Sequence, residues 1–274
     1  MKLSLLSLSY RPQFEGGSMD MNVFLDECQR LGVDGADLHE AAFASVGTQD
    51  LFAVKRGCLD RGLDIPCVSI SNNFACPVED LADDVADTKA WIERAALLGA
   101  PQVRVFSGRP ADEQDREASW DRCADALREC AEFGAGHGIV VSLQNHNHLQ
   151  IAPDGEDVLR LMDQVGHPNL GHVLDTGQYA GSPGASGFAD DTLREQHDYL
   201  ASVRLTAPRA TYVRAKLYRI STGVEEWLDY DQIFSVLRRV EYNGWVSLVY
   251  EGEDDALDVI PLGVRFLRGY LSAS

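Results

Sequence analysis

Short apolar runs alternate along the chain with longer amphipathic segments. The short runs are rich in β-branched and aromatic residues and are bounded by turn-forming residues, a pattern that predicts β-strands. Eight strands are predicted, at Leu3–Tyr10, Gly35–His39, Pro66–Asn72, Gln102–Gly108, Ile139–His146, His172–Gly177, Tyr212–Arg219 and Trp245–Gly252. They recur about every 30–40 residues, which is the length of one strand followed by a crossover helix.

The intervening segments carry apolar residues at helical spacing. Two segments show this most clearly, with apolar faces formed by Leu81, Val85, Ile92 and Ala95 and by Trp120, Cys123, Leu127 and Cys130. Gly99 is expected to end the first of these helices, and the glycines between 134 and 138 to end the second. Asp229 and Gln232 form a capping-box-like start for a later helix, and Pro261 is expected in the first turn of the last one.

Strand and helix therefore alternate through eight units in about 250 residues, which indicates an α/β fold, the (β/α)8 or TIM barrel. An open doubly wound sheet is the alternative, but no Gly-x-Gly-x-x-Gly follows the first strand. We expect no nucleotide cofactor. No linker divides the chain, so residues 1–274 are predicted to form a single barrel domain. The irregular stretch 177–191 follows the sixth strand and is expected to lie over the barrel mouth as a loop or lid.

Composition narrows the function classes. The chain has 274 residues and a net charge of -19, from 43 acidic and 24 basic side chains, which argues against nucleic acid as a partner. No apolar run approaches the length of a membrane span, and the N-terminus is interpreted as a strand and not a signal peptide. The six cysteines form no Cys-x-x-Cys pair and are expected to be small buried hydrophobes in a reducing compartment. We therefore predict a cytoplasmic protein that does not bind membranes, and leave a homo-oligomer open.

Functional side chains of a TIM barrel project from the carboxyl ends of its strands. The last four predicted strands each end in polar or ionisable residues. Side chains alternate across a strand, so residues two apart share a face. The pairs concerned are Gln144 with His146, Arg214 with Lys216, and Val249 with Glu251. If one member of a pair faces the barrel interior, so does the other.

The four strand ends contain Gln144-Asn145-His146, Leu174-Asp175-Thr176-Gly177, Arg214-Ala215-Lys216 and the region from Gly244 to Glu251. In order, they resemble the Glu-Asn-His, Asp-Thr-Gly, His-x-Lys and Gly-x-x-Ser-x-Glu motifs of the sugar phosphate isomerase/epimerase group. These xylose isomerase-like TIM barrels also include inosose dehydratases. The resemblance covers essentially the whole chain and is specific for the superfamily, but it does not identify the substrate.

The resemblance also implies one divalent metal ion (Mn, Mg, Co or Zn), bound in that group by Glu, Asp, His and Glu. The matching positions here are Gln144, Asp175, Arg214 and Val249. Only the aspartate is retained, and neither a guanidinium nor a valine can ligate a metal. A rearranged site of Asp175, Glu251 and the Gln144 carbonyl, with a nearby histidine, is one alternative; a site without metal is the other.

Isomerisation or epimerisation of a sugar requires a base beside the carbon next to a carbonyl and a cation beside the developing oxyanion. Glu251 or His146 is the expected base, and Lys216 or the metal ion the expected stabiliser. The expected substrate-binding residues are Gln144, Asn145, His148, Gln178 and Arg214. The leading hypothesis is therefore an isomerase or epimerase that acts on a small sugar or sugar derivative through an enediolate.

Two other functions stay open. The same enolate could expel a β-substituent, which would make the protein a lyase or dehydratase acting on an oxidised sugar, glycoside or cyclitol. Loss of the expected ligands also fits a catalytically degenerate barrel that binds a sugar or a partner. The other histidines carry no polar cluster: His172 is expected to face the helices, and His39, His137, His167 and His197 to be structural or exposed.

Overall fold

The computed structural model describes residues 1–112, 115–184 and 197–272. In this part of the chain, eight parallel strands form a closed barrel in sequence order, and β1 pairs with both β2 and β8. The strands are β1 (Lys2–Leu6), β2 (Gly35–His39), β3 (Val68–Ser69), β4 (Gln102–Phe106), β5 (Val140–Gln144), β6 (Leu170–Asp175), β7 (Ala210–Leu217) and β8 (Trp245–Tyr250). The (β/α)8 prediction is confirmed.

Helices surround the barrel and connect successive strands. They are α1 (Arg11–Glu15), α2 (Met21–Leu31), α3 (Thr48–Asp60), α4 (Val78–Leu98), α5 (Arg116–His137), α6 (Gly155–Val165), α7 (Tyr199–Thr206), α8 (Tyr230–Arg239) and α9 (Ala256–Leu271). Their apolar faces pack against the outer face of the barrel, where residues such as Leu3, Leu38 and Val103 are fully buried. None of the described helices is long and apolar enough to cross a membrane.

Each predicted strand overlaps an observed one, but several predictions run past the carboxyl end. The third strand is the clearest case, since β3 has only two residues. Beyond it, the side chain of Asn72 replaces the backbone ladder: its Nδ2 donates to the carbonyl of Phe106 at 2.9 Å, and its Oδ1 accepts from the Phe106 amide at 2.7 Å. The backbone of these extensions forms the rim of the barrel mouth.

Most predicted helix ends are confirmed, with one exception. Gly99 follows α4 in the left-handed region, and the Asp229 carboxylate accepts from the Gln232 amide at the start of α8. The prediction for Pro261 is wrong, because α9 begins five residues earlier and Pro261 lies inside it. The helix starts at a carboxylate cap from Asp255, and its buried face already includes residue 256.

The six cysteines are all buried and free, at positions Cys28, Cys58, Cys67, Cys76, Cys123 and Cys130. Burial is the first cause of a raised pKa at every one of these thiols. Cys123 on α5 illustrates their packing, since its Sγ lies 3.0 Å from the Ser107 carbonyl oxygen. Their prediction as small buried hydrophobes is confirmed.

The predicted loop 177–191 is described only as far as residue 184, and its remainder lies outside the described residues. His172 on β6 faces the helices, as predicted: Nδ1 lies 2.9 Å from the Leu143 carbonyl oxygen, and Nε2 lies 3.0 Å from the Tyr179 hydroxyl. That hydroxyl also lies 2.6 Å from Oγ1 of Thr206 on α7. His172 therefore belongs to the packing between the strands and α7.

Candidate active site

A cavity of about 230 Å³ lies at the carboxyl ends of the strands. Six of the predicted site residues line it, namely Gln144, His146, Gln178, Arg214, Lys216 and Glu251. Val249 lines it as well, so all three pairs predicted to share a face do so. A larger cavity of about 420 Å³ adjoins it and shares four lining residues with it, but is bounded mainly by apolar side chains such as Phe14 and Phe43. The predicted catalytic residues therefore line the smaller cavity.

A buried carboxylate, that of Asp37 on β2, lies beneath this cavity. It accepts hydrogen bonds from the hydroxyls of Ser69 at 3.3 Å, Tyr212 at 3.2 Å and Ser247 at 2.9 Å. Arg214 Nη2 lies 3.2 Å from Asp37 Oδ2 and also donates to the Ser69 hydroxyl. Asp37 and Arg214 therefore form a buried ion pair whose remaining acceptor sites are taken by hydroxyl groups. Sequence reasoning missed Asp37.

Gln144 connects this ion pair to Asp175. Its Oε1 accepts from Arg214 Nη1 at 2.9 Å, and its Nε2 donates to Asp175 Oδ2 at 2.9 Å. The orientation of the amide follows from chemistry, because a guanidinium only donates and a carboxylate only accepts. Burial raises the pKa of Asp175, and the nearby Lys216 and Arg214 cations act in the opposite direction.

Asn145 does not line the cavity. Its side chain forms two hydrogen bonds with the backbone of Asp175, donating to the carbonyl at 2.9 Å and accepting from the amide at 2.8 Å. Gly177, two residues after Asp175, donates its backbone N–H to Asp175 Oδ1 at 3.0 Å. A Cβ at Gly177 would lie 2.5 Å from Lys216 Cγ, so only glycine fits here. Asn145 and Gly177 thus position Asp175 and Lys216.

Lys216 and Glu251 form the outer part of the site. The Lys216 ammonium lies 2.7 Å from Glu251 Oε1 and 3.8 Å from Asp175 Oδ2. The Lys216 side chain is 3% exposed, whereas that of Glu251 is 30% exposed. Gln178 Nε2 lies 3.5 Å from the second Glu251 oxygen. Glu251 is therefore the accessible carboxylate of the site, and Lys216 is the buried cation behind it.

His146 is held as a neutral ring. Its Nδ1 accepts the backbone N–H of His148 at 3.2 Å, which leaves the proton of a neutral imidazole on Nε2. Burial lowers the pKa of His146 well below its usual range, and the neighbouring His148 and Lys216 lower it further. The ring packs against Phe106 with centroids 5.0 Å apart. His146 is thereby arranged to donate a hydrogen bond.

Two further residues line the cavity from β2 and β4, strands in which the sequence predicted no functional residue. His39, predicted to lie outside any polar cluster, is buried and lines the cavity, so that prediction is wrong. Arg104 on β4 also lines the cavity and is 1% exposed. Both lie at or near the carboxyl ends of early strands, which closure of the barrel brings to the same rim as the later ones.

The sequence of residues 25–270 matches the model of a family described as xylose isomerase-like TIM barrel. The chain belongs to this family. An inosose dehydratase from Glaesserella parasuis serovar 5 (strain SH0165) is 26% identical over 175 residues, which are 60% of this chain. The matched stretch spans 56% of that relative's length.

Several solved structures share the fold. D-psicose 3-epimerase from Clostridium cellulolyticum H10, determined with D-tagatose, superposes with a TM-score of 0.73 at 16% identity and covers 100% of this chain and 96% of its own. A probable 3-DHS dehydratase from Bacillus anthracis gives 0.73 at 19% identity, over 98% and 99% of the two chains. The 3-keto-D-glucoside 4-epimerase of E. coli gives 0.73 at 15% identity, over 100% of both. At these identities the likeness shows the fold alone.

The metal-ligand positions of the xylose isomerase-like family do not fit a divalent cation in this chain. The Gln144 carbonyl oxygen already accepts from Arg214, and the Lys216 ammonium lies between the carboxylates of Asp175 and Glu251. Among the described residues, no group of three His, Cys, Asp or Glu side chains is placed to hold a metal ion. The rearranged site of Asp175, Gln144 and Glu251, one of the two alternatives predicted from sequence, does not fit this geometry.

We therefore expect the dialysed protein to contain far less than one equivalent of Mn, Mg, Co or Zn, since Gln144 and Arg214 replace two of the expected ligands and the Lys216 ammonium lies between the carboxylates of Asp175 and Glu251. Metal analysis by mass spectrometry of the wild type beside Asp175→Ala and Glu251→Ala checks this. One equivalent in the wild type that is lost from both variants would contradict it.

Proposed function

We propose that this protein is an enzyme that isomerises a small sugar or sugar derivative by moving a proton between the two carbons of an enediolate. One observation carries the proposal. An accessible carboxylate, Glu251, and a buried ammonium, Lys216, lie 2.7 Å apart in a cavity at the carboxyl ends of the barrel strands. A base and a cation at this separation are the two groups that enolisation requires.

Glu251 acts as the base. Its carboxylate removes the proton from the carbon next to the substrate carbonyl, and the electron pair of the broken C–H bond forms the carbon–carbon double bond. The carbonyl oxygen becomes an oxyanion. His146 is unsuited to this step, because its Nδ1 is occupied and its Nε2 carries the proton. Its N–H instead donates to a substrate oxygen.

Lys216 stabilises the oxyanion. Its ammonium is buried, so the attraction to a developing negative charge is stronger than it would be in water. Asp175 and the Gln144 amide fix its surroundings, while Gln178 and the Arg214–Gln144 pair supply donors and acceptors for substrate hydroxyls. The proton held by Glu251 then goes to the former carbonyl carbon. The proton of the adjacent hydroxyl passes to the oxyanion, so that the carbon bearing this hydroxyl becomes the new carbonyl and the isomerisation is complete.

The cavity wall favours isomerisation over epimerisation. Within the described chain, Glu251 is the one carboxylate that lines the cavity. A single carboxylate delivers the proton to the face from which it was taken. Epimerisation needs a second proton donor on the opposite face, and among the described residues no second carboxylate lines the cavity to serve as one. The same single base also supports elimination, in which the protonated Glu251 assists departure of a β-hydroxyl, so a dehydratase is the second candidate.

Solvent exchange tests the proposal. The full-length protein is incubated in D2O with a panel of aldoses, ketoses and their oxidised derivatives, and the products are analysed by mass spectrometry and NMR. We expect deuterium at the carbon next to the carbonyl and an otherwise unchanged mass. Loss of one water would support the dehydratase. Binding without exchange for every member of the panel would contradict both and support a binding function.

A further inference from the structure

Arg104 is a buried cation without a carboxylate partner. Its side chain is 1% exposed and lines the cavity, and its guanidinium lies 4.0 Å above the centroid of the Phe106 ring. Nη1 donates to the Ile70 carbonyl at 2.7 Å. Nε is buried and has no hydrogen-bond partner among the described residues. The guanidinium is thus in contact with neutral groups only, and the carboxylates of Asp37 and Glu40, which act on its charge, form no ion pair with it.

The other two buried cations of the cavity are paired. Arg214 has the carboxylate of Asp37 at 3.2 Å, and Lys216 has that of Glu251 at 2.7 Å. No ion pair of this kind joins Arg104 to a carboxylate within the described ranges. An uncompensated charge in a protein interior is strongly disfavoured. The arrangement therefore leaves one positive charge of the cavity for a group that the protein does not itself provide.

The surroundings of His39 support this reading. Burial lowers the pKa of His39 well below its usual range, and the cations of Arg104, Arg214 and Arg11 lower it further. These three cations line the cavity together with His39. The whole chain carries a net charge of -19, so the unpaired cation of Arg104 is opposite in sign to the charge of the protein.

We propose that Arg104 binds an oxyanion of the substrate, a carboxylate or a phosphoryl group, so that the substrate is a sugar acid or a sugar phosphate and not a neutral sugar. The inference rests on the proposed function for the location of the site. Nε and Nη2 lie on one edge of a guanidinium, and an oxyanion that accepts from this edge gives Nε the partner it lacks while it neutralises the charge. The guanidinium lies over the Phe106 ring, which restricts its position on that side.

The test is a comparison of D-glucose, D-glucuronate and D-glucose 6-phosphate, which share a ring and differ in charge. Calorimetry at low ionic strength is expected to show at least one anion binding about ten-fold or more tightly than D-glucose, because a hydrogen bond to a charged group contributes about that much. Tighter binding of D-glucuronate would identify a carboxylate as the group that Arg104 binds, and tighter binding of D-glucose 6-phosphate would identify a phosphoryl group. Added salt should reduce the advantage.

Arg104→Met should abolish this preference for an anion. Its unfolding temperature should equal or exceed that of the wild type, because an apolar side chain replaces an uncompensated charge. Arg104→Lys, which keeps the charge but not the planar edge, should keep part of the preference and serves if the methionine variant fails to fold. Arg61→Met is the matched control, since Arg61 is largely buried but pairs with Asp26 at 2.7 Å away from the cavity, and should bind like the wild type.

Equal affinity for all three probes, or no binding of either anion, would overturn the inference. So would an anion preference that survives in Arg104→Met. The measurement needs no turnover, so its result is separate from that of the solvent-exchange experiment. If the protein binds an anion more tightly than D-glucose but catalyses no solvent exchange, Arg104 stands as an anion-binding residue and the proposed isomerase activity is rejected.

Discussion

Replacing Glu251 by glutamine is expected to lower kcat by about 10²–10⁴-fold, the usual contribution of a general base. The amide is nearly isosteric with the carboxylate, so the shape of the cavity is kept. It cannot accept a proton from carbon. Because Lys216, Gln178 and Arg214 still line the cavity, KM should change little. Loss of kcat without loss of binding is the signature of a group that acts in the chemical step.

Steady-state kinetics on the substrate found by solvent exchange measure this effect. Glu253→Gln is the control, because Glu253 lies two residues along the same segment and is exposed. It should keep the wild-type kcat. An unchanged kcat in Glu251→Gln would remove this carboxylate from the mechanism and require another base.

Replacing Asp37 by asparagine is expected to lower the free energy of unfolding by about 3–5 kcal/mol, the usual effect of removing one partner of a buried ion pair. The variant leaves the Arg214 guanidinium buried without a counterion. It also disturbs the three hydroxyls that donate to the carboxylate, since an amide offers one acceptor oxygen where the carboxylate offers two. The loss therefore has both a charge and a hydrogen-bond origin.

Urea unfolding of the wild type and the variant measures this loss. Asp26→Asn is the matched control, because Asp26 forms an ion pair with Arg61 at a similar distance, 2.7 Å, but is 65% exposed. Exposed pairs contribute up to about 1 kcal/mol, so its effect should be several times smaller. The double variant Asp37→Leu with Arg214→Met should recover part of the loss, because it removes both charges together. Equal losses at Asp37 and Asp26 would contradict the buried-pair interpretation.

Periodicity was sufficient to predict the barrel and much of its rim. Strand alternation correctly placed Gln144 with His146 and Arg214 with Lys216 on the inner face, because that inference needs only neighbours two residues apart. Strand ends were less predictable. Beyond β3, the chain bonds to the backbone of β4 through the side chain of Asn72. The pattern of apolar residues does not reveal such a side-chain contact.

The residues missed by sequence reasoning depend on contacts across the barrel. Asp37 and Arg214 are separated by 177 positions, and nothing local in Gly35–His39 indicates that its aspartate faces a guanidinium. The sequence did contain one indication of these residues, namely a charged side chain within an otherwise apolar predicted strand. Asp37 and Arg104 both show it. The Gln144 carbonyl oxygen is unavailable to a metal ion because it accepts from Arg214. This orientation of the amide is fixed by Arg214 and Asp175, and the Gln-Asn-His motif alone does not reveal it.

The six buried cysteines have a practical consequence for labelling the protein. Because each thiol is buried and its pKa is raised, thiol-reactive dyes should not modify the folded chain at these positions. A single cysteine introduced at an exposed site on the mouth side, such as Val224 in the segment after β7, which is 57% exposed, would therefore carry the dye alone. A fluorescent reporter of ligand binding can then be attached without removing any native cysteine.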